Sequence, residues 1–386
     1  MTELKEPMNT ISAMLKDPNK TVVIYMAPAV RVGIGEFLGD VSYSNIALKT
    51  VSAMRKLGFK HVFDMSFSAD MTTFEETTEL LIRLKENKDL PQFTSCCPGW
   101  VRTFGTKVPQ LEPHLSTTKS PQAIFGSVLK TYYAEKNGLD PKNQLVTVSL
   151  VPCVIKKAEA QKQELWQSGE YPDVDHVITT KDFFEWCEAE NIKINEEPEG
   201  MFDDLFGGET GSGVIYGSTG GVMGAALRTL LKIVTGKADL DLTPLRGTEN
   251  IKTLEIKIDE VAPVPPLLQK NFENFDFLKG RTLKIAVCHS VPSIMKIALG
   301  IHDKTEFHDY DFIEFMMCQG GCVGGAGQMR SSDSDALKKR AEALTASGKK
   351  SEVKTAIDNP ALLKLYAEYF PDGPCTEKAL KVLHKH

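Results

Sequence analysis

The chain has 386 residues, with 45 Lys+Arg against 51 Asp+Glu, a formal net charge of −6, 42% hydrophobic residues and 25% charged residues. This is ordinary globular composition, long enough for two or three domains or one large domain with lobes, and it excludes disordered and collagen-like chains. The mildly acidic balance gives no global pull toward nucleic acid, no apolar run approaches the ~18 residues of a membrane span, and the polar start lacks a secretory or transit signal, so a cytoplasmic location is expected.

In chain order, residues 1–20 read as a loose polar leader. Runs rich in Val, Ile and Phe predict strands over Thr21–Met26 and His61–Met65, and apolar spacing predicts helices over Glu75–Lys85 and Gln122–Lys136. Strands are expected next at Gln144–Val151 and His176–Thr179. The stretch Glu190–Gly213, rich in Glu, Asp and Gly, reads as a surface connection. A helix over Gly221–Val234 follows, and then the Pro-rich Val261–Pro266, a surface connection and candidate boundary before a C-terminal portion. Strands at Leu283–Cys288 and Phe312–Met316 and helices at Asp335–Ala346 and Asn359–Tyr369 complete the pattern. The alternation argues for an α/β fold with strands buried beneath helices. The basic clusters Lys338-Lys339-Arg340 and Lys349-Lys350 fall at helical spacing and read as solvated helix faces.

Three cysteine-bearing islands stand out: TSCCPGW (Thr94–Trp100), VPCVIKKAE (Val151–Glu159) and EFMMCQGGCVGGAGQ (Glu314–Gln328). In each, cysteine sits where an apolar run gives way to a Pro or Gly turn. Backbone N–H groups in such turns can face a bound anion, and Gly320, Gly321 and Gly324 would let a large inorganic group approach closely. Zinc typically uses paired CxxC hooks, but here only Cys318 and Cys322 form a close pair among the dispersed candidates. Scattered thiolates without matched histidines suit an iron–sulfur cubane better. On spacing alone, zinc and inert core thiols stand as alternatives.

Together the islands resemble one family, the FeFe hydrogenases, with its TSCCPxW, MPCxxKxxE and ExMxCxxGCxxGGGQ signatures. The likeness continues through APAVR (Ala27–Arg31), FDMSFSADMTTFEE (Phe63–Glu76), LSTTKSPQ (Leu115–Gln122) and GSTGGVMGAALRT (Gly217–Thr229) to LHKH (Leu383–His386). The resemblance implies one catalytic domain over residues 21–386 with no accessory ferredoxin-like domain. Its implied fold is α/β with two lobes, each a four-stranded sheet flanked by helices, and an active site in the cleft between them. The implied cofactor is an H-cluster, a 4Fe–4S cubane joined to a diiron unit with CO, CN and azadithiolate ligands. Cys97, Cys153, Cys318 and Cys322 would hold the cubane, Cys322 being the bridge. Lys156, Pro28, Ala29, Gln122 and Met316 would line the diiron pocket.

The resemblance also implies a proton path from Cys96 through a water, Glu76, Ser116 and Glu79 to Arg83 at the surface. Glu76, Glu79 and Arg83, spaced i, i+3 and i+7, share one helix face; by itself such a Glu–Arg pair would read as an exposed salt bridge. The implied reaction is 2H⁺ + 2e⁻ ⇌ H₂, with electrons from an external ferredoxin or flavodoxin and with dedicated proteins maturing the diiron unit. Neither nucleic acid nor membrane is an expected partner. A non-catalytic iron–sulfur assembly factor and a hydrogen sensor are the other readings, and the intact Cys96-Cys97 pair, Lys156 and Glu159 argue against the assembly factor.

Four positions depart from the family pattern: Val151 stands where Met is usual, Gln319 where Pro is common, Ala326 at the middle Gly and Gly224 at a frequent Glu. None is an implied ligand. Cys187 and Cys288 read as core thiols, and Cys375, in a PDGPC turn, carries no assignment.

Overall fold

The computed structural model describes residues 5–39, 46–207, 210–245 and 249–386. Its strands are β1 (Thr21–Met26), β2 (His61–Asp64), β3 (Gln92–Phe93), β4 (Leu145–Val151), β5 (His176–Thr179), β6 (Ile251–Lys257), β7 (Thr282–His289) and β8 (Phe312–Met316). They form two four-stranded sheets, ordered β2-β1-β4-β5 and β3-β8-β7-β6. The first is wholly parallel; in the second only the β6–β7 pair is antiparallel. Parallel strands covered on both faces need near-continuous apolar runs, and β4 is buried from end to end. Register sets the strand ends level: Met26 of β1 lies beside both Asp64 of β2 and Leu150 of β4.

The large core packs around the first sheet, and a second core gathers Phe93, Trp100, Phe104 and Phe315 around the other. Trp100 and Phe315 have ring centroids 4.3 Å apart, and Trp100 Nε1 donates to the Thr94 carbonyl at 2.9 Å. This fixes the chain on either side of Cys96-Cys97.

The helix Ser66–Glu86 is the polar spine of the molecule. Nearly every residue from Ser66 to Leu81 is buried, although many are Ser, Thr, Asp or Glu. It packs against the helices Pro121–Val128, Gly211–Ile215 and Gly221–Thr235. Thr73 and Thr78 each donate to the carbonyl four residues back at 2.8 Å, while Thr72 and Thr77 donate to the carbonyls of Lys119 and Ala226. Asp70 is satisfied by other segments, accepting from Ser212 and Asn359.

Several expectations change. Residues 8–16, read as leader, form a helix that buries Met8 and Ile11 against the core, because these two apolar side chains fall on one face. The helix expected from Glu75 begins at Ser66, where a Ser/Thr/Met mixture gave no apolar stripe. The Glu190–Gly213 connection ends in a buried helical turn at Gly211–Ile215, and its residues 208–209 lie outside the described residues. Val261–Pro266 divides nothing, since the strands on either side of it, β6 and β7, pair along their whole length from Ile251–Cys288 to Lys257–Thr282. Arg340 lies not on a solvated face but buried against Glu36. Among the described residues no helix is long and apolar enough to cross a membrane.

Candidate metal centre

Parallel strands deliver loops at their C-terminal ends, the usual place for a site in an α/β fold. Here both sheets do so toward one cavity. Pro28 and Ala29 follow β1, Cys96 and Cys97 follow β3, Cys153 and Lys156 follow β4, and Met317, Cys318 and Cys322 follow β8. With Gln122, Met316 and Tyr216 these residues line one cleft. Every pocket residue singled out in the sequence therefore meets at one place.

All eight cysteines are free thiols. Cys97 precedes Pro98, which starts a helix, and its Sγ accepts from the Met317 backbone N–H at 3.4 Å. Burial, followed by the charge of the other three thiols, pushes the Cys322 thiol well above its usual range. Burial, then Cys97 and Cys153, push Cys318 up to about 12. Buried thiols facing one cleft are a fitting donor set for a polynuclear cation, which stabilises thiolates by its charge.

Glycines pack the third island closely against neighbouring backbone. Gly320 and Gly321 have φ of 77° and 83°, and a Cβ on Gly321 would stand 2.6 Å from the Thr219 nitrogen. A Cβ on Gly325 would stand 2.3 Å from the Pro152 carbonyl oxygen. Gly321 thereby sits against the Ser218–Thr219 backbone, and Gly325 against Pro152 beside Cys153. Four cysteines from separate loops lining one cleft fit a bulky iron–sulfur group.

Lys156 reaches into the same cavity. Its Nζ donates to the Cys96 carbonyl at 3.1 Å and to both Glu159 oxygens at 2.9 and 2.8 Å. Burial would lower this ammonium, but Glu159 and the thiols of Cys96 and Cys153 hold it above its ordinary value. Gln122 Nε2 donates to Glu159 at 3.1 Å, while its buried Oε1 has no hydrogen-bond partner among the described residues.

Some residues of this wall were not assigned from sequence. Gln328 Nε2 donates to the Ala29 carbonyl at 2.8 Å, tying the third island to the turn after β1. Arg340 donates to the carbonyls of Val323 and Met329 at 2.7 and 2.9 Å and so clamps the loop beyond Cys322. Glu314 accepts from the Gly220 and Met223 N–H groups at 2.9 and 2.6 Å, capping the Gly221–Thr235 helix. Tyr216 lies beside the Cys96 thiol. These contacts are all remote in sequence; only the presence of Glu314 and Gln328 inside an island hinted at two of them.

From Cys96 a line of polar groups leads away. Burial, then Glu76, raises the Cys96 thiol well above its usual range. Glu76 accepts from the Ser95 N–H at 3.3 Å, and burial followed by Glu79 pushes its carboxyl up to about 8. The Ser116 hydroxyl donates to Glu79 at 2.6 Å and lies within reach of Glu76. Burial works to raise Glu79, but Arg83 at 2.7 Å, His384, Ser116 and Thr117 bring it below its usual value. Arg83 and Glu79 have side chains only 12% and 11% exposed, so the pair is not a solvated surface bridge. The Arg83 guanidinium also donates to the carbonyls of Asp89, Pro113 and Leu115 at 3.0, 2.9 and 3.0 Å. Two neighbouring carboxyls, one poised to keep a proton and one to lose it, are the usual arrangement for acid–base work.

Fold and site together define a metal-binding protein of the iron–sulfur kind. Residues 20–326 match the family "Iron only hydrogenase large subunit, C-terminal domain", and residues 334–386 match "Iron hydrogenase small subunit". The chain belongs to the iron-only hydrogenase family. It is 37% identical over 381 residues to NADP-reducing hydrogenase subunit HndD of Solidesulfovibrio fructosivorans, covering 96% of this chain and 61% of that protein. It thus spans only about three fifths of that relative. A variant of [FeFe]-hydrogenase HydA1 from Chlamydomonas reinhardtii superposes with a TM-score of 0.83 at 35% identity over 98% of each chain. A more distant relative, cytosolic Fe-S cluster assembly factor narfl of Danio rerio, is 27% identical over 377 residues, 95% of this chain and 85% of that protein.

Proposed function

We propose that this chain is a hydrogen-forming enzyme of its family, catalysing 2H⁺ + 2e⁻ ⇌ H₂ with electrons from an external ferredoxin- or flavodoxin-like carrier. Cys97, Cys153, Cys318 and Cys322 would hold a 4Fe–4S cubane, Cys322 bridging to the diiron unit that completes the H-cluster. When bound, that group supplies redox-active iron. Lys156, Pro28, Ala29, Gln122 and Met316 shape the diiron pocket, and Lys156 presents its ammonium to an anionic group as a charge-assisted donor. The apolar strand ends around them exclude bulk water.

The observation that carries the reading is the proton line. Cys96 is a cavity-wall thiol beyond the four proposed ligands, and behind it stand Glu76, Ser116, Glu79 and Arg83, with Ser116 hydrogen-bonded to Glu79 and Glu79 to Arg83. A protein that only stores or passes on a cluster has no need of it. In the proposed path Arg83 fixes Glu79 as an anion, Ser116 links the two carboxyls, and Glu76 keeps a proton at neutral pH for delivery to Cys96 Sγ.

The test is anaerobic reconstitution of the cubane, addition of a synthetic diiron precursor, and then infrared spectra with hydrogen evolution from a reduced viologen. Carbonyl and cyanide bands with turnover are expected. Bands without turnover would favour a sensor. The absence of both would favour the assembly role that the zebrafish relative's name describes.

A further inference from the structure

Cys375, outside the islands, is not alone in the fold. His384 Nε2 lies 3.1 Å from Glu75 Oε2 and 4.0 Å from Cys375 Sγ, and the three ligand atoms all lie within 4.8 Å of one another. Glu75 and His384 are 0% and 2% exposed, while Cys375 keeps partial contact with solvent. We propose that Glu75, Cys375 and His384 form a second metal site, distinct from the four-cysteine centre, which takes one zinc-like divalent cation.

The donor set suits such an ion. One thiolate, one imidazole and one carboxylate leave a fourth tetrahedral position for water, as zinc sites with three protein ligands do. Thiolate and carboxylate together balance the dication, so with a neutral imidazole the buried complex carries no net charge, which meets the demand that buried charge be compensated. The partners behind the ligands point the same way. Thr117 Oγ1 stands 2.7 Å from His384 Nδ1, so an Nδ1–H donated to that hydroxyl leaves the Nε2 lone pair for the metal. The Tyr366 hydroxyl donates to Glu75 Oε1, while Oε2 faces His384 and accepts from the Cys375 N–H at 2.7 Å, which keeps one of its lone pairs for a metal. Partial exposure of Cys375 supplies a way in.

Binding breaks the Cys375 S–H bond, forms a sulfur–metal bond and releases that proton to solvent; the imidazole carries its one proton on Nδ1. No electron moves. Affinity therefore rises with pH, because the thiol must lose its proton to ligate.

The experiment uses the full chain with its cubane reconstituted, so that the four island cysteines are engaged, equilibrated with zinc chloride and freed of excess by gel filtration. The expected result is one zinc per chain by elemental mass spectrometry. The zinc-edge X-ray absorption should show one sulfur in a shell otherwise of nitrogen and oxygen. Cys375→Ser and His384→Gln should each bind at least ~10-fold more weakly, with circular dichroism confirming that both fold. If the serine variant folds poorly, Cys375→Ala at the same partly exposed position serves. No retained zinc, equal zinc in wild type and variants, or a four-sulfur shell marking the island cysteines would each overturn the proposal. Because the readout is zinc, a chain that evolves no hydrogen leaves this outcome unaffected.

Discussion

Cys96 and Glu76 are the residues on which the proposed chemistry turns. Cys96 is not among the four proposed ligands, so Cys96→Ala should leave cluster infrared bands unchanged while hydrogen evolution falls about 10²–10⁴-fold, the usual loss of a general acid–base group. Turnover near wild type would remove Cys96 from the path. Glu76 makes a pH prediction. Its ordinary value is 4.5 and burial lifts it to about 8, so the folded chain keeps a proton that the unfolded chain has already released. Stability of the cluster-free protein should therefore fall as pH rises from about 4.5 to about 8 and be insensitive to this group above that. Glu76→Gln should flatten that slope in urea titrations and also abolish most turnover. A slope unchanged in the variant would assign the raised value elsewhere.

At the level of elements, the Gly221–Thr235 helix depends on one distant carboxylate. Glu314 in β8 is wholly buried and caps it, so Glu314→Ala should cost ~1–3 kcal/mol in denaturant unfolding by stranding buried N–H groups. A change within a few tenths of a kcal/mol would mean the helix start finds other acceptors. What could be read from sequence follows the same divide between local and distant partners. β1, β4, β5 and β8 announce themselves by continuous apolar runs. β3 is two residues long and exists because Phe93 pairs beside Ile313, a partner far away in the chain. The polar first half of the Ser66–Glu86 helix has no stripe to betray it, since its burial is made possible by acceptors and donors on other segments. The islands were legible because turn chemistry and ligands are local; Gln328, Arg340 and Tyr216 were not, because their roles lie in contacts across the fold.

At the scale of the molecule, both sheets contribute to one cavity. Cys153 and Lys156 come from the first sheet, and Cys97, Cys318 and Cys322 from the second. A cluster held by all four cysteines would cross-link the two halves, so its presence should raise the melting temperature in calorimetry, and chelation of its iron should lower it. Equal melting of loaded and stripped protein would mean that fewer than four cysteines engage it. The Arg340–Glu36 pair makes a second bond across the fold, from the helix Ala336–Lys350 to the segment after β1. Arg340→Met should cost ~3–5 kcal/mol, with much of the loss recovered in the double variant Arg340→Met/Glu36→Leu, since an unpartnered buried charge is worse than none. Non-recovery would place the guanidinium's value in its carbonyl contacts instead.

The left-handed Gly321 has one last consequence, and it belongs to genetics. Every missense codon there adds a carbon where the Thr219 amide already stands. A saturation library screened for folded protein should return that column blank for all nineteen alternatives, alanine included, while the neighbouring Val323 column keeps its small aliphatics.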